Sequence, residues 1–249
     1  MRIVTLALLA DNYAYLLVGR ESAVAVDPSV AGPVAEAARE AGVRLAAVWV
    51  THHHADHCGG AGDLRRRTGC AVIGPRDERL PALDRAVGGD DVLRVDDEEF
   101  RVLPVPGHTR SHVAYYAPRE AVVFTGDCLF VAGCGRLLEG SAGQMWDSLR
   151  RLRELPVATR VYCGHEYTVD NLEFAAELDP ADAVVRERLA AMRRRQERGE
   201  PTVPATIAEE RQTNPFLRAD AEAIANAVKR VGAPPAEVFA ELRRRKDAW

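Results

Sequence analysis

With 249 residues, the chain is long enough for one large domain, or for one domain with a smaller companion. Hydrophobic residues at 47%, charged residues at 28% and a net charge of −4 describe an ordinary globular protein, with no bulk electrostatic reason to expect nucleic acid or an anionic membrane as partner. Met1–Leu9 is too short and interrupted for a signal peptide, and no apolar run reaches transmembrane length. The five cysteines form neither a Cys-x-x-Cys pair nor a disulfide framework, so a reducing, cytoplasmic setting is expected.

Taken in order, Met1–Leu9 and Ala14–Val18 read as strands joined at Asp11-Asn12, and Ala23–Val26 as a third strand that stops at Asp27-Pro28. Pro33 opens an alanine-rich helix that Gly42 ends. Leu45–Val50 is a buried-type strand, followed by Thr51-His52-His53-His54-Ala55-Asp56-His57-Cys58 and a helix through Arg67. Pro75–Val95 shows no regular pattern. Phe100–Val105, Ser111–Ala117, Ala121–Thr125 and Arg160–Cys163 are further strands, with helix periodicity over Gly140–Leu155. Beyond residue 168 the composition turns helical: Thr168–Leu178, Pro180–Arg198, Ala219–Val231 and Pro234–Arg245 are helix candidates, with Gly199–Thr206 as a connector. The expected division is therefore 1–168 as a domain of sheets with helices packed outside and 169–249 as a helical domain.

Four of the seven histidines fall within His52–His57, with Asp56 among them. In extended chain, residues two apart point the same way, so His52 and His54 can grip one ion, and Asp56 with His57 can face a second after the chain turns. Imidazole mixed with carboxylate suits zinc, iron or manganese better than calcium or magnesium. The same arrangement recurs: a strand ends, a glycine or threonine turns the chain, and a donor follows, at Thr51-His52, Gly107-His108, Gly126-Asp127 and Gly164-His165. Four such ends point to a shared metal site. His53 is expected to face away from it, His112 to orient a neighbour, and Cys58, Cys128 and Cys163 to be buried small residues.

Thr-His-x-His-x-Asp-His at 51–57, Gly-His-Thr at 107–109, Gly-Asp at 126–127 and Gly-His at 164–165 resemble the metallo-β-lactamase superfamily. Phe130–Gly140, Tyr162–Asn171, Asn214–Arg218 and the terminal Arg243–Asp247 are similar to one branch of it, glyoxalase II, the hydroxyacylglutathione hydrolases. The resemblance implies an α+β fold, an αββα sandwich followed by a small α-helical C-terminal domain. It implies His52, His54 and His108 on one divalent ion, Asp56, His57 and His165 on a second, and Asp127 bridging both. Zinc is the first expectation, with iron or manganese also accepted. Asp56 and Asp127 are the carboxylates expected to serve catalysis. The implied reaction is attack of a metal-bridging hydroxide on the thioester of S-(2-hydroxyacyl)glutathione, such as S-D-lactoylglutathione, releasing a 2-hydroxy acid and glutathione in methylglyoxal detoxification.

For substrate binding the resemblance implies Arg136, Tyr167, Arg243 and Lys246, while Leu138 stands where the family usually carries an aromatic residue. A persulfide dioxygenase with a single iron shares the ligand motif, but Phe216–Arg218 and the basic C-terminal helix oppose that reading. A thioesterase for another low-molecular-weight thiol fits the same metal ligands. A non-catalytic binding module should have lost one of the seven ligands, and all seven are present.

Overall fold

The structure, a computed structural model, describes every residue from Met1 to Trp249. It divides into two compact units, Met1–Pro104 with Ser111–Gly126 and Val105–Arg110 with Asp127–Trp249.

The first unit opens with β1 (Arg2–Leu8), β2 (Asn12–Val18) and β3 (Ser22–Val26), paired antiparallel in that order. Helix α1 (Ala31–Glu40) then crosses over to β4 (Arg44–Trp49), which lies parallel to β3. Helices α2 (Ala55–Cys58) and α3 (Ala61–Thr68) carry the chain to β5 (Ala71–Pro75), and β6 (Arg85–Val87) completes a six-stranded sheet. Parallel neighbours require such crossovers, and the crossovers cover one face of the sheet. Strands β7 (Val92–Val95), β8 (Glu98–Pro104), β9 (Val113–Ala117) and β10 (Val122–Gly126) form an antiparallel ladder in chain order.

Side-chain alternation explains why β2 is buried along its whole length. Ala14, Leu16 and Val18 join Val34 and Ala38 of α1 and Leu64 of α3 in one apolar cluster. Tyr15, on the opposite face, meets Phe124 of β10 with ring centroids 5.3 Å apart. Trp49 packs edge-on to Phe100 at 5.0 Å and tilts against Tyr115 at 5.3 Å, so an aromatic layer fills the space between the two ladders. The Tyr115 hydroxyl donates to the Val50 carbonyl at 2.7 Å, which fixes the end of β4 where the histidine cluster begins. Trp49→Ala in this layer would cost about 3–5 kcal/mol.

The second unit contains a two-strand hairpin of β11 (Leu129–Phe130) and β12 (Gly133–Cys134), then α4 (Ala142–Arg153), whose start carries a Ser141/Gln144 capping box. After β13 (Arg160–Cys163) come α5 (Thr168–Leu178) and α6 (Ala183–Glu197). A short β14 (Ala205–Thr206) pairs antiparallel with β13, and Thr206 caps α7 (Ile207–Thr213). A 3₁₀ turn over Pro215–Arg218, α8 (Glu222–Ala227) and α9 (Pro235–Ala248) end the chain. Ala132 at the hairpin tip packs with Leu172 and Ala175 of α5 and Val185 and Leu189 of α6. Phe216 bridges Phe174 and Phe239, at 6.1 and 5.8 Å between centroids.

The structure departs from the sequence expectations in places where local pattern is weak. The stretch Pro75–Val95 holds β6 and β7, each only three or four residues long and lifted into strand geometry by its neighbours. The connector Gly199–Thr206 ends in β14, and α7 follows where no helix was expected. The helix expected over Ala219–Val231 shrinks to Glu222–Ala227, and α1 begins at Ala31, two residues before Pro33.

Candidate metal centre

In the first unit the donors lie just past the end of β4. Parallel register sets Val26 opposite Trp49, so Asp27 sits beside the chain as it leaves the strand. The buried Asp27 carboxylate accepts the Thr51 N–H at 2.7 Å on Oδ1 and the Thr51 hydroxyl at 2.7 Å on Oδ2. It also accepts from His57 Nδ1 at 3.2 Å. Because the Thr51 proton points at Asp27, the hydroxyl lone pair is left to accept from His52 Nδ1 at 3.0 Å. One carboxylate therefore fixes two imidazoles in the same tautomer, with the lone pair of each on Nε2.

His54 Nδ1 lies 3.1 Å from His52 Nε2, and His57 Nε2 lies 3.7 Å from Asp56 Oδ2. Asn12 Nδ2 donates to the Asp56 backbone carbonyl and to its Oδ2, at 3.0 and 3.1 Å, and Ser29 Oγ donates to the same carbonyl at 2.6 Å. His53 turns to Asp77, with Nδ1 at 3.4 Å from Oδ2. His112 stacks on the His52 ring at 4.6 Å and 16°. Gly126, at φ +47°, lies beneath both: a Cβ there would sit 2.3 Å from Thr51 Oγ1 and 2.9 Å from His112 Cε1.

The second unit holds three more donors. His108 lies in a segment tied down at Pro106, whose carbonyl accepts from Ser148 Oγ at 2.7 Å, and at Gly107, whose carbonyl accepts from the Gly140 N–H at 3.0 Å. His108 Nδ1 donates to the Arg136 carbonyl at 2.8 Å, again leaving the lone pair on Nε2. Both His108 Nε2 and His165 Nε2 stand 3.5 Å from one oxygen, Asp127 Oδ2. All three residues are buried. Imidazole nitrogens with directed lone pairs, next to a carboxylate in a buried setting, are the donor chemistry that holds a divalent ion, and the residues fit that role.

The residues expected to bind substrate are placed unequally. Tyr167, 37% exposed, stacks on His165 at 4.7 Å and 5°. Arg136 is exposed, its Nε 3.9 Å from Asp247 Oδ1. Arg243 is buried: it donates from Nη1 to the Cys134 carbonyl at 2.8 Å and from Nε to Asp247 Oδ1 at 3.0 Å, with its guanidinium over the Phe216 ring. Asp247 thus draws Arg136 and Arg243 together. Lys246 Nζ donates to the Asp170 carbonyl at 3.1 Å and lies 3.8 Å from the Trp249 ring centroid. Leu138 is exposed.

All five cysteines are free and buried. Burial pushes the Cys134 thiol up to about 11 and the Cys163 thiol up to about 12, so neither is a thiolate nucleophile at neutral pH. Asp27, which holds Thr51 and His57 in place, is absent from the sequence expectations. Its signal was there, since a carboxylate directly after an apolar strand repeats the strand-end pattern of the other donors.

A crossover-covered sheet with histidine and aspartate donors at strand ends defines a class, the divalent-metal-binding proteins of the metallo-β-lactamase fold. The superfamily model for metallo-β-lactamases matches residues 10–165, and the model for the hydroxyacylglutathione hydrolase C-terminus matches residues 166–249. A hydroxyacylglutathione hydrolase of Methylococcus capsulatus is 47% identical over 100% of this chain and 99% of its own length. Among solved structures, ETHE1 from Myxococcus xanthus aligns at TM-score 0.68 and 29% identity, covering 100% of this chain and 99% of that one. TTHA1623, solved in a di-iron-bound form, aligns at TM-score 0.62 and 26% identity, covering 87% of this chain and 100% of its own. The chain belongs to the hydroxyacylglutathione hydrolase family of the metallo-β-lactamase superfamily.

Proposed function

We propose that this protein hydrolyses S-(2-hydroxyacyl)glutathione thioesters, S-D-lactoylglutathione among them, to a 2-hydroxy acid and free glutathione. The observation that carries the reading is the end-to-end match to hydroxyacylglutathione hydrolases, which includes the helical C-terminal region as well as the donor-bearing part. Residues 1–168 act as the catalytic domain and 169–249 as the substrate-binding domain. No helix is long and apolar enough to cross a membrane, and five free cysteines suit a reducing cytoplasm.

Two divalent ions are proposed, zinc first, with iron or manganese compatible with the same donors. His52, His54 and His108 would hold one, Asp56, His57 and His165 the other, and Asp127 would serve both. Support comes from the Asp127 carboxylate oxygen lying at 3.5 Å from an imidazole of each set, and from the di-iron form of TTHA1623. When bound, such a pair lowers the pKa of water toward about 7 and polarises a carbonyl.

The chain's own groups do the rest. Asp27 and the Arg136 carbonyl hold His52, His57 and His108 with Nε2 ready to coordinate. Asp56 is kept in place by Asn12 and Ser29. Exposed Arg136 meets a carboxylate of the glutathione moiety, Tyr167, stacked on His165, binds substrate beside the donors, Lys246 adds positive charge from α9, and buried Arg243 braces that side of the pocket through Asp247, which Arg136 also faces. A thiolate leaves with less proton assistance than an amine needs.

The deciding assay is hydrolysis of S-D-lactoylglutathione in air and under argon. Equal rates in both, with lactate and glutathione as products, are expected. Oxygen uptake with glutathione persulfide and an intact thioester would replace the hydrolase reading with a dioxygenase one.

A further inference from the structure

Glu210 is a fully buried carboxylate on α7 that takes no part in the proposed chemistry. Its Oε1 accepts from Arg188 Nη2 at 2.7 Å. Its Oε2 accepts the Ala132 N–H at 2.7 Å and Asn214 Nδ2 at 2.9 Å. Ala132, at φ +56°, is the tip of the β11–β12 hairpin, in a left-handed conformation that a non-glycine residue adopts only when its surroundings hold it there. The second Asn214 Nδ2 hydrogen goes to the Gly133 carbonyl at 3.0 Å, with the Phe130 carbonyl 3.4 Å from the same nitrogen, and Asn171 donates to the Val131 carbonyl at 3.0 Å. The hairpin is thus held by side chains of the helical region along its turn.

The strand leaving that hairpin leads to His108. Gly135 lies so close to the Asp127 carbonyl that a Cβ would come within 2.1 Å of it, and 3.0 Å from His108 Nδ1. One residue on, the Arg136 carbonyl accepts the His108 Nδ1 proton. A shift of the hairpin by a few tenths of an ångström therefore moves the group that sets the His108 tautomer. Buried ion pairs contribute little net stability against apolar replacements, and their best-attested use is to fix one arrangement among several.

We propose that Glu210 is a positioning residue for His108 and Asp127, acting through the Phe130–Arg136 segment, with Arg188 neutralising its charge. The proposal rests on reading His108 and Asp127 as metal donors.

Glu210→Gln offers one oxygen in place of two. The stronger charge-assisted bond draws that oxygen to Arg188 and turns the amide NH2 against the Ala132 N–H, releasing the hairpin. In the double variant R188M/E210Q the amide can turn its oxygen back to Ala132 and Asn214. Asn214→Ser loosens the same hairpin while leaving the Glu210–Arg188 pair intact, so the test does not depend on one variant folding.

The first readout is the ¹⁵N spectrum of the imidazoles in metal-free protein, which reports the His108 tautomer directly. The second is zinc affinity by competition with a chromophoric chelator. E210Q and N214S should show a mixed His108 tautomer and zinc affinity weakened about tenfold, with R188M/E210Q returning toward wild type in both. Arg153→Ala, which removes the Asp220 pair, is the control for lost stability alone and should leave the tautomer unchanged. A pure Nδ1–H tautomer and wild-type zinc affinity in E210Q and N214S would overturn the proposal, as would a double variant no better than E210Q. Wild-type protein that binds no zinc, iron or manganese would instead strike at the metal reading itself.

Discussion

Asp27 Oδ2 lies 3.2 Å from His57 Nδ1 while also accepting the Thr51 hydroxyl proton at 2.7 Å. Since Thr51 Oγ1 in turn stands 3.0 Å from His52 Nδ1, the lone pairs of two histidines are directed by one carboxylate that is itself no proposed ligand. Asp27→Asn should weaken zinc binding by about 10–100-fold, the usual cost of removing a partner behind a metal-bound histidine. The check is a zinc titration of metal-free protein. Affinity unchanged from wild type would mean that the tautomers are set elsewhere.

The proposed seven donors, with Asp127 shared, predict about two divalent ions per chain. Elemental analysis of protein purified without chelator measures the number. Asp127→Ala should retain fewer ions or hold them unequally. Full activity at one ion per chain would reject the shared-aspartate arrangement.

Arg243 and Lys246 sit on the same helix, and both should matter for binding more than for turnover. Lys246→Ala is expected to raise KM about tenfold, the scale of one charge-assisted hydrogen bond, and Arg243→Ala, which releases Asp247 beside Arg136, to raise it by a smaller factor, each with a smaller change in kcat. Steady-state kinetics with S-D-lactoylglutathione decides it. Wild-type KM in both variants would remove α9 from the substrate site.

Lys246 also predicts a pH dependence. Burial pushes its ammonium down to about 8 from an ordinary 10.5, with Asp170 opposing the shift and Arg243 adding to it. Between those values the unfolded chain binds more protons than the folded one, so the contribution of this group to stability grows as pH rises through the window. It is lost as pH falls through about 8. The cation needed for an anionic substrate behaves oppositely: KM should climb above about pH 8, and Lys246→Met should flatten that limb.

Gly126→Ala puts a methyl where Thr51 Oγ1 lies 2.3 Å away, on a residue at φ +47°. Strain and displacement together should cost at least about 2 kcal/mol. For a chain of this size that lowers Tm by roughly 4–8 °C in a thermal melt. The displaced Thr51 should also perturb the His52 ring, visible in its ¹⁵N shifts.

The sequence by itself determined a good deal of this protein. The Thr51–His57 motif and the donors after Gly107, Gly126 and Gly164 are local signals, because a strand followed by a tight turn is written in adjacent residues. Family membership followed from the same residues together with those around Tyr162–Asn171 and Asn214–Arg218. The main strands and helices were legible where apolar period and caps agree, as in β2, β4 and α4. Only the tertiary structure decided the rest. Strands β6, β7 and β14 are too short to carry a pattern of their own and exist because a neighbour supplies the ladder. Asp27 meets Thr51 and His57 through the parallel register of β3 and β4, a pairing across 24 and 30 residues that no local pattern specifies. Glu210 reaches Ala132 across 78 residues, and Arg243 reaches Cys134 across 109. Donor identity is a property of side-chain chemistry and can be read one residue at a time, whereas donor orientation depends on partners that only folding brings within hydrogen-bond distance.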